Sequence, residues 1–324
     1  MRKFHGLIAA TLVGVASIVF SGAGLAEGYP DRPITWVVPS SAGSGFDVVA
    51  RVISPKLSEV LGQSVVIQNI EGAGATIGAS VVADAAPDGY TILLANTNHT
   101  AAESLYKKLS YNIVDSFDPV VRFAEFPQVL VVNPGLAVKT AGELIALARE
   151  KPGELNIAHA GIGSTTFMCA ELFKSMAGLD LASIPYAGGG PAMTSVVAGE
   201  TSVYCPPYPV AEPFIRDEKV RALAMTSKEP MSYRPDLPVV AEAVPGFEFI
   251  SWYGLVVPKG TPDEVRSRIR AALVETMADP TVAKGIGDLG FTAIDEGPEE
   301  FTAFLKKEVE VTKDLIEKAG IQPQ

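Results

Sequence analysis

Between residues 34 and 95, short unbroken apolar runs alternate with longer stretches in which apolar positions recur every three or four residues. An unbroken run between turn residues fits a strand buried on both faces, and the wider spacing fits an amphipathic helix. ITWVV (34–38), SVVIQN (64–69) and YTILLA (90–95) are therefore predicted strands. Helices are predicted between them over 46–61, interrupted near Pro55, and over 75–86. This βαβαβ order predicts a mostly parallel sheet covered on both faces. Such sheets bind ligands beyond the carboxyl ends of their strands, where Ser40 to Gly45 and Asn96 to Thr100 fall.

The pattern then restarts. VLVVNP (129–134) reads as a strand, 140–150 as a helix opened by Thr140 and Glu143 in capping-box spacing, LNIAH (155–159) as a strand and 167–177 as a helix. A second sheet is expected from this restart. The Pro-rich segments 205–213 and 228–238 read as irregular, and WYGLVVPKGTP (252–262) as another strand, with Pro262 placed to start a helix over 263–277. A last helix is predicted over 298–319, ending at Gly320.

The first 26 residues follow a different pattern: Arg2 and Lys3, an apolar run over 7–20, then small residues ending at Ala26. That is the layout of a secretory signal, and the run is shorter than the ~20 residues a spanning helix needs. Cleavage near Ala26 and a periplasmic location are expected. With 48% hydrophobic and 19% charged residues, the chain can bury a sizeable core. Without Arg2 and Lys3 it carries 24 basic against 37 acidic residues, a formal charge of −13. This balance argues against nucleic acid or anionic lipid as a partner, and an anionic ligand must be held by local dipoles. Cys169 and Cys205 are the only cysteines. An oxidising compartment permits them to pair, but two cysteines in a chain of this size are no disulfide framework, so their state stays open.

Two small-residue loops carry the candidate chemistry. Ser41, Ala42, Gly43, Ser44 and Gly45 lead into Phe46 and Asp47 in one half, and Ala160, Gly161, Gly163, Ser164, Thr165 and Thr166 follow His159 in the other. Each follows a predicted strand and opens a helix. Glycine lets the backbone approach a bound group, and the first helical turn has free N–H groups to donate to it. Two such ends facing one cleft can grip one anion. Neither loop completes G-x-G-x-x-G or carries the Lys-Ser/Thr of a phosphate loop, so no nucleotide cofactor is expected. Ser164 lacks the second glycine of a nucleophile elbow. His99, His159, Cys169 and Cys205 have no paired zinc spacing, so no metal is expected either. Asn98, His99 and His159, at strand ends, are read as polar lining or hydrogen-bond donors to a ligand, beside the plainer reading of histidines satisfied at strand ends.

These residues, with YPDRPI (29–34), PSSAGSGFD (39–47), EGAGATIGA (71–79), APDGYTILLA (86–95), AGIGST (160–165), ELFKSMAG (171–178), PYAGGGPA (185–192), VRALAMTS (220–227), SWYGLVVPKGTP (251–262) and KAGI (318–321), resemble the Bug family in order along essentially the whole exported chain. Bug proteins are extracytoplasmic solute receptors of tripartite tricarboxylate transporters. The resemblance implies an α/β, type II periplasmic binding protein fold: two lobes, each with a mainly parallel sheet flanked by helices, and a cleft between them. It further implies a monomeric receptor without enzymatic activity that closes on a small-molecule carboxylate and delivers it to membrane permease subunits. The carboxylate grip it implies uses backbone N–H groups and ordered water, with Ala42 to Gly45 as one arm, Asp47 tying down the helix start, and Gly161 and Gly163 to Thr166 as the other.

The sequence departs from the family pattern in several places. Ser44 stands where a third glycine is common, Phe46 replaces a small polar residue, Phe167 stands about where many members have histidine, and Pro206 and Pro207, followed by Tyr208, replace a frequent Asp-Asn pair. Phe46 and Phe167 either face the cleft or turn into the core. Losing polar groups around the cleft favours an aliphatic dicarboxylate or an aromatic carboxylate over citrate or an amino acid. The first lobe is expected to comprise residues 27–125 and 249–324 and the second 126–248, with crossings near Phe126 and Ser251. Two other readings keep the same cleft: a ligand sensor serving a sensor kinase, and a secreted hydrolase using Ser164.

Overall fold

The computed structural model describes residues 28–318 and 320–323, so the export segment read over residues 1–26 lies outside the described residues. The first half runs β1 (Ile34–Val38), α1 (Gly45–Leu61), β2 (Val65–Asn69), α2 (Thr76–Ala83), β3 (Thr91–Asn96), α3 (Thr97–Leu105) and β4 (Phe117–Pro127). The chain continues through β5 (Val129–Val132), α4 (Ala141–Glu150), β6 (Asn156–His159), α5 (Thr165–Ala177), β7 (Ala182–Pro185), α6 (Gly189–Ala198), β8 (Val203–Tyr204), α7 (Tyr208–Arg216) and β9 (Arg221–Met225). It returns as β10 (Ile250–Pro258), α8 (Asp263–Ala278), α9 (Pro280–Asp288), β11 (Thr292–Glu296) and α10 (Pro298–Lys318).

Two sheets result, ordered β11-β4-β10-β3-β1-β2 and β7-β6-β8-β5-β9. In each, the strands that precede the helices pair in parallel: β1 with β2 and β3, and β6 with β7 and β8. The strands at or beside the crossings pair antiparallel: β10 with β3 and β4, β4 with β11, and β5 with β8 and β9. Both sheets are therefore mixed, because a chain that leaves one sheet and returns to it runs back along its own exit strand. β4 and β10 pair from Phe117/Pro258 to Pro127/Ile250, which brings the two crossings side by side.

Polar side chains lock that crossing. The Gln128 N–H donates to Thr226 Oγ1 at 2.7 Å, and Thr226 Oγ1 donates to the Phe249 carbonyl at 2.7 Å. With its amide oriented to satisfy both ends, the buried Gln128 side chain accepts from Ser251 Oγ at 2.7 Å and donates to the Pro206 carbonyl at 3.1 Å. Buried polar groups this fully paired fix one arrangement of strands, since leaving one unpaired costs about 1–3 kcal/mol.

Apolar residues cover both faces of each sheet. Ile34, Trp36, Ile53, Leu57 and Ile269 build one core of the first sheet, and Val37, Leu93, Trp252 and Phe301 the opposite one. The largest core of the second sheet takes in Ala101 and Leu105 of α3 and Leu315 and Ile316 of α10, so one helix from the first half of the chain and the last helix both reach across to it.

Several segments differ from their reading in the sequence. Pro55 does not interrupt α1. It lies on the exposed side, where the Arg51 carbonyl that loses its helical partner faces water. The Pro-rich segment 205–213 is helical from Tyr208, because prolines in a first turn give up N–H groups that have no helical acceptor anyway. Cys169 and Cys205 form a disulfide with a Cα–Cα distance of 6.3 Å. β4 escaped the pattern because Asp118, Arg122 and Glu125 interrupt its apolar run. Asp118 is paired with Lys259 at 2.8 Å, and Arg122 donates to Glu296 at 2.7 Å and Glu125 at 3.1 Å while stacking on Phe304.

Candidate functional site

The two loops share a backbone plan. Ser44 and Ser164 are the N-caps of α1 and α5, with φ/ψ of −70/164° and −72/155°. Before each cap a glycine takes positive φ, +80° at Gly43 and +82° at Gly163, where a Cβ would strain the turn. Each turn closes from the cap N–H to the carbonyl three residues back, Ser44 to Ser41 and Ser164 to Gly161, both at 3.2 Å. Each serine hydroxyl then accepts the N–H three residues on, from Asp47 at 3.3 Å and Phe167 at 3.1 Å. The first-turn N–H groups of Gly45 and Phe46, and those of Thr165 and Thr166, have no acceptor among the described residues.

The bracing differs. Asp47, 2% exposed, accepts the Gly43 N–H at 2.8 Å, Arg51 Nε at 2.8 Å and the Asn69 amide at 3.0 Å. Burial pushes its carboxyl up, but Arg51, Gly43 and Asn69 together outweigh this and hold it below the usual carboxylate range. The Gly43 N–H is thus already occupied, and Arg51 is turned to Asp47 and Asn69. In the second loop Phe167 holds the place of Asp47, and the Gly163 N–H has no acceptor among the described residues. Thr166 Oγ1 accepts the Ala160 N–H at 2.9 Å, and the disulfide ties α5 to the residue after β8.

Both loops open onto one cavity of about 230 Å³, lined by Gly43, Gly45 and Phe46 from the first loop and helix, Thr165 from the second loop, Pro207 and Val210 at α7, and Phe126, Tyr253, Leu289 and Phe291. Tyr253 packs against Phe126, Phe46 and Phe291 with ring centroids 4.9, 5.2 and 5.5 Å apart. No lysine, arginine or histidine of the described residues lines it. Larger hollows lie elsewhere, one between α5 and α10 among them, away from both loops.

Of the remaining candidates, Phe46 lines this cavity, and Asn98, His99, His159 and Tyr208, read in the sequence as its lining, do not. Phe46 faces it, whereas Phe167 is 5% exposed and packs on His159 at 4.9 Å. Ser41 and Ala42 are exposed on the rim. His159 is 2% exposed, and its Nδ1 accepts the Gly161 N–H at 3.2 Å, so it shapes the second loop from beneath. His99 is fully buried in the cap of α3, where Nδ1 accepts the Asn96 N–H at 3.1 Å, and burial lowers its pKa to about 4. Asn98 lies in the same first turn, 9% exposed with Oδ1 unpartnered. Tyr208 is 5% exposed and stacks on Tyr233 at 5.3 Å behind Pro207. Ser164 Oγ donates to the Gly161 carbonyl at 2.7 Å and caps α5. Among the described residues no cluster of His, Cys, Asp and Glu forms a metal site, and no helix is long and apolar enough to cross a membrane. Phe126, Tyr253, Leu289 and Phe291 were missed in the sequence, since they sit on the crossing strands and in the turn after α9, far along the chain from either glycine loop.

Comparison with known proteins gives a consistent picture. Residues 49–321 match the family model described as tripartite tricarboxylate transporter family receptor. The chain is 37% identical over 292 residues to a UPF0065 protein in the tcbD-tcbE intergenic region of Pseudomonas sp. (strain P51), covering 90% of this chain and 87% of that protein. Among solved structures, R. palustris Rpa4515 with adipate superposes with a TM-score of 0.85 at 31% identity, covering 91% of this chain and all of that one. The periplasmic binding protein BugD superposes at 0.83 with 34% identity over the same shares of both chains. The chain shares the two-lobed periplasmic binding protein fold with both solved structures.

Proposed function

Because the chain belongs to the tripartite tricarboxylate transporter receptor family, we propose that it is a periplasmic receptor that captures an organic carboxylate between its lobes and delivers it to the transporter's permease subunits. The observation that carries this reading is the pair of helix starts, α1 and α5, whose free N–H groups border one cavity that no basic side chain lines. A helix start contributes ~0.3–2 kcal/mol to an anion and a hydrogen bond to a charged group ~1.5–3 kcal/mol. Several such contacts, reduced by the entropy of association, support micromolar binding, roughly −8 kcal/mol. Binding of adipate by a structural neighbour is in line with this chemistry.

In this reading the working form is a monomer. Residues 27–125 and 249–324 form one lobe and 126–248 the other, hinged at the crossing that Gln128, Thr226 and Ser251 lock. A ligand held by both loops favours the closed arrangement, because only there do both sets of N–H groups reach it. Nothing in this mechanism requires a reaction.

Thermal unfolding against matched pairs of organic acids and their primary amides tests the proposal. Carboxylates are expected to raise the melting temperature while their amides leave it unchanged. Equal effects of acid and amide, or hydrolysis of an ester that Ser164→Ala abolishes, would overturn it.

A further inference from the structure

Resting on the carboxylate reading above, we propose that the cavity selects an acid with one carboxylate on an aromatic or comparably apolar ring, and that the Tyr253 hydroxyl is a side-chain donor to that carboxylate. Tyr253 is 3% exposed and lines the cavity, yet its hydroxyl has no hydrogen-bond partner among the described residues. It points at the start of α1, where a Cβ placed on Gly45 would stand 3.7 Å from the hydroxyl oxygen. Burial raises its pKa, so it stays a neutral O–H donor beside the free Gly45 and Phe46 N–H groups. An unpartnered hydroxyl on a buried side chain and uncapped first-turn amides that converge on one space are matched to one carboxylate.

Thr165, at the start of α5, lines the same cavity with its own free N–H, and the remaining wall is apolar. The side chains of Phe46, Phe126, Phe291, Leu289, Pro207 and Val210, which stand away from the two helix starts, offer no donor to a second charge. A second carboxylate enclosed among them would be buried without a partner, which disfavours it strongly. A flat ring gains tilted or edge contacts with Phe46, Phe126, Tyr253 and Phe291, which already meet one another at 4.8–5.5 Å. At about 230 Å³ the space lies below the ~300–1,000 Å³ of drug-sized pockets, which fits a single ring.

Calorimetric titration of protein unfolded and refolded to strip bound acid, with benzoate, adipate and malate, tests this. Benzoate is expected to bind at least ten-fold tighter than either diacid. Tyr253→Phe is expected to weaken benzoate binding about ten-fold with the melting temperature of the free protein unchanged. Tighter binding of adipate or malate than of benzoate would overturn ring selection and leave the carboxylate receptor standing. Binding of none of the three would overturn both, and benzoate binding unaffected by Tyr253→Phe would remove the hydroxyl from the site.

Discussion

In the loop after β1 the Gly43 N–H ends on the carboxylate of Asp47; in the loop after β6 the residue at the same place is Phe167, and the Gly163 N–H is left open. Both turns have the same glycine conformation, the same serine cap and the same closing hydrogen bond, yet one is stiffened by a buried anion with Arg51 and Asn69, the other by a disulfide one turn into its helix. The difference teaches where an acid can sit. A loop that already contains a carboxylate has fewer donors to offer and a like charge nearby, so the second loop is expected to be the stronger anion arm, with the first supplying its helix start and the Tyr253 side.

Breaking each brace separates the two arms, beginning with the covalent one. Cys169→Ala with Cys205→Ala opens a crosslink spanning 36 residues and is expected to cost roughly 3–4 kcal/mol, read as a fall in denaturation midpoint that a thiol reductant reproduces in the native protein. Asp47→Ala should cost about 1–3 kcal/mol in urea unfolding, since it leaves the Gly43 N–H unpaired, the Asn69 amide with the Ser40 carbonyl alone and Arg51 with Asn69 alone.

Glycine replacement sharpens the contrast further. Both Gly43→Ala and Gly163→Ala meet the penalty of positive φ, about 1–2 kcal/mol. A methyl on Gly163 also approaches Leu105 Cδ1 to 3.2 Å, whereas one on Gly43 enters open space. Titration with an organic acid should therefore show the larger loss of affinity for Gly163→Ala, and equal losses would refute the unequal arms.

The smallest effect expected is in pH. Burial holds His159 below its ordinary value near 6.5, with Glu171 offsetting this only in part, so the folded protein keeps it neutral where the unfolded chain takes up a proton. Its contribution is complete above about pH 6.5 and declines as pH falls from there toward the folded pKa. Asp47, depressed instead, contributes fully above about pH 4 and loses its stabilisation only as pH falls through its lower folded value. Thermal melts from pH 7 to 5 should flatten in His159→Asn and not in Asp47→Asn; His99, buried at about 4, adds the same slope to both variants.

Much of the frame was legible along the chain. Apolar runs located β1, β3, β5 and β6 because strands buried on both faces need unbroken apolar sequence, as well as the edge strand β2 with one face exposed, and glycines at positive φ marked both loops because few other residues adopt that backbone. The charged strand β4 and the proline-rich helix α7 were hidden, since ion pairs made at long range and first-turn prolines leave no periodic trace.

The sequence by itself determined the two repeating βα patterns and the two helix starts able to face an anion, both properties of neighbours in the chain. Only the tertiary structure decided that Gly43 is already engaged, that Phe46 faces the cavity while Phe167 turns inward, and that Phe126, Tyr253 and Phe291 complete the wall. Backbone propensity acts over a few residues, whereas the direction of a side chain and the partner of an N–H depend on which distant strand the sheet brings beside it.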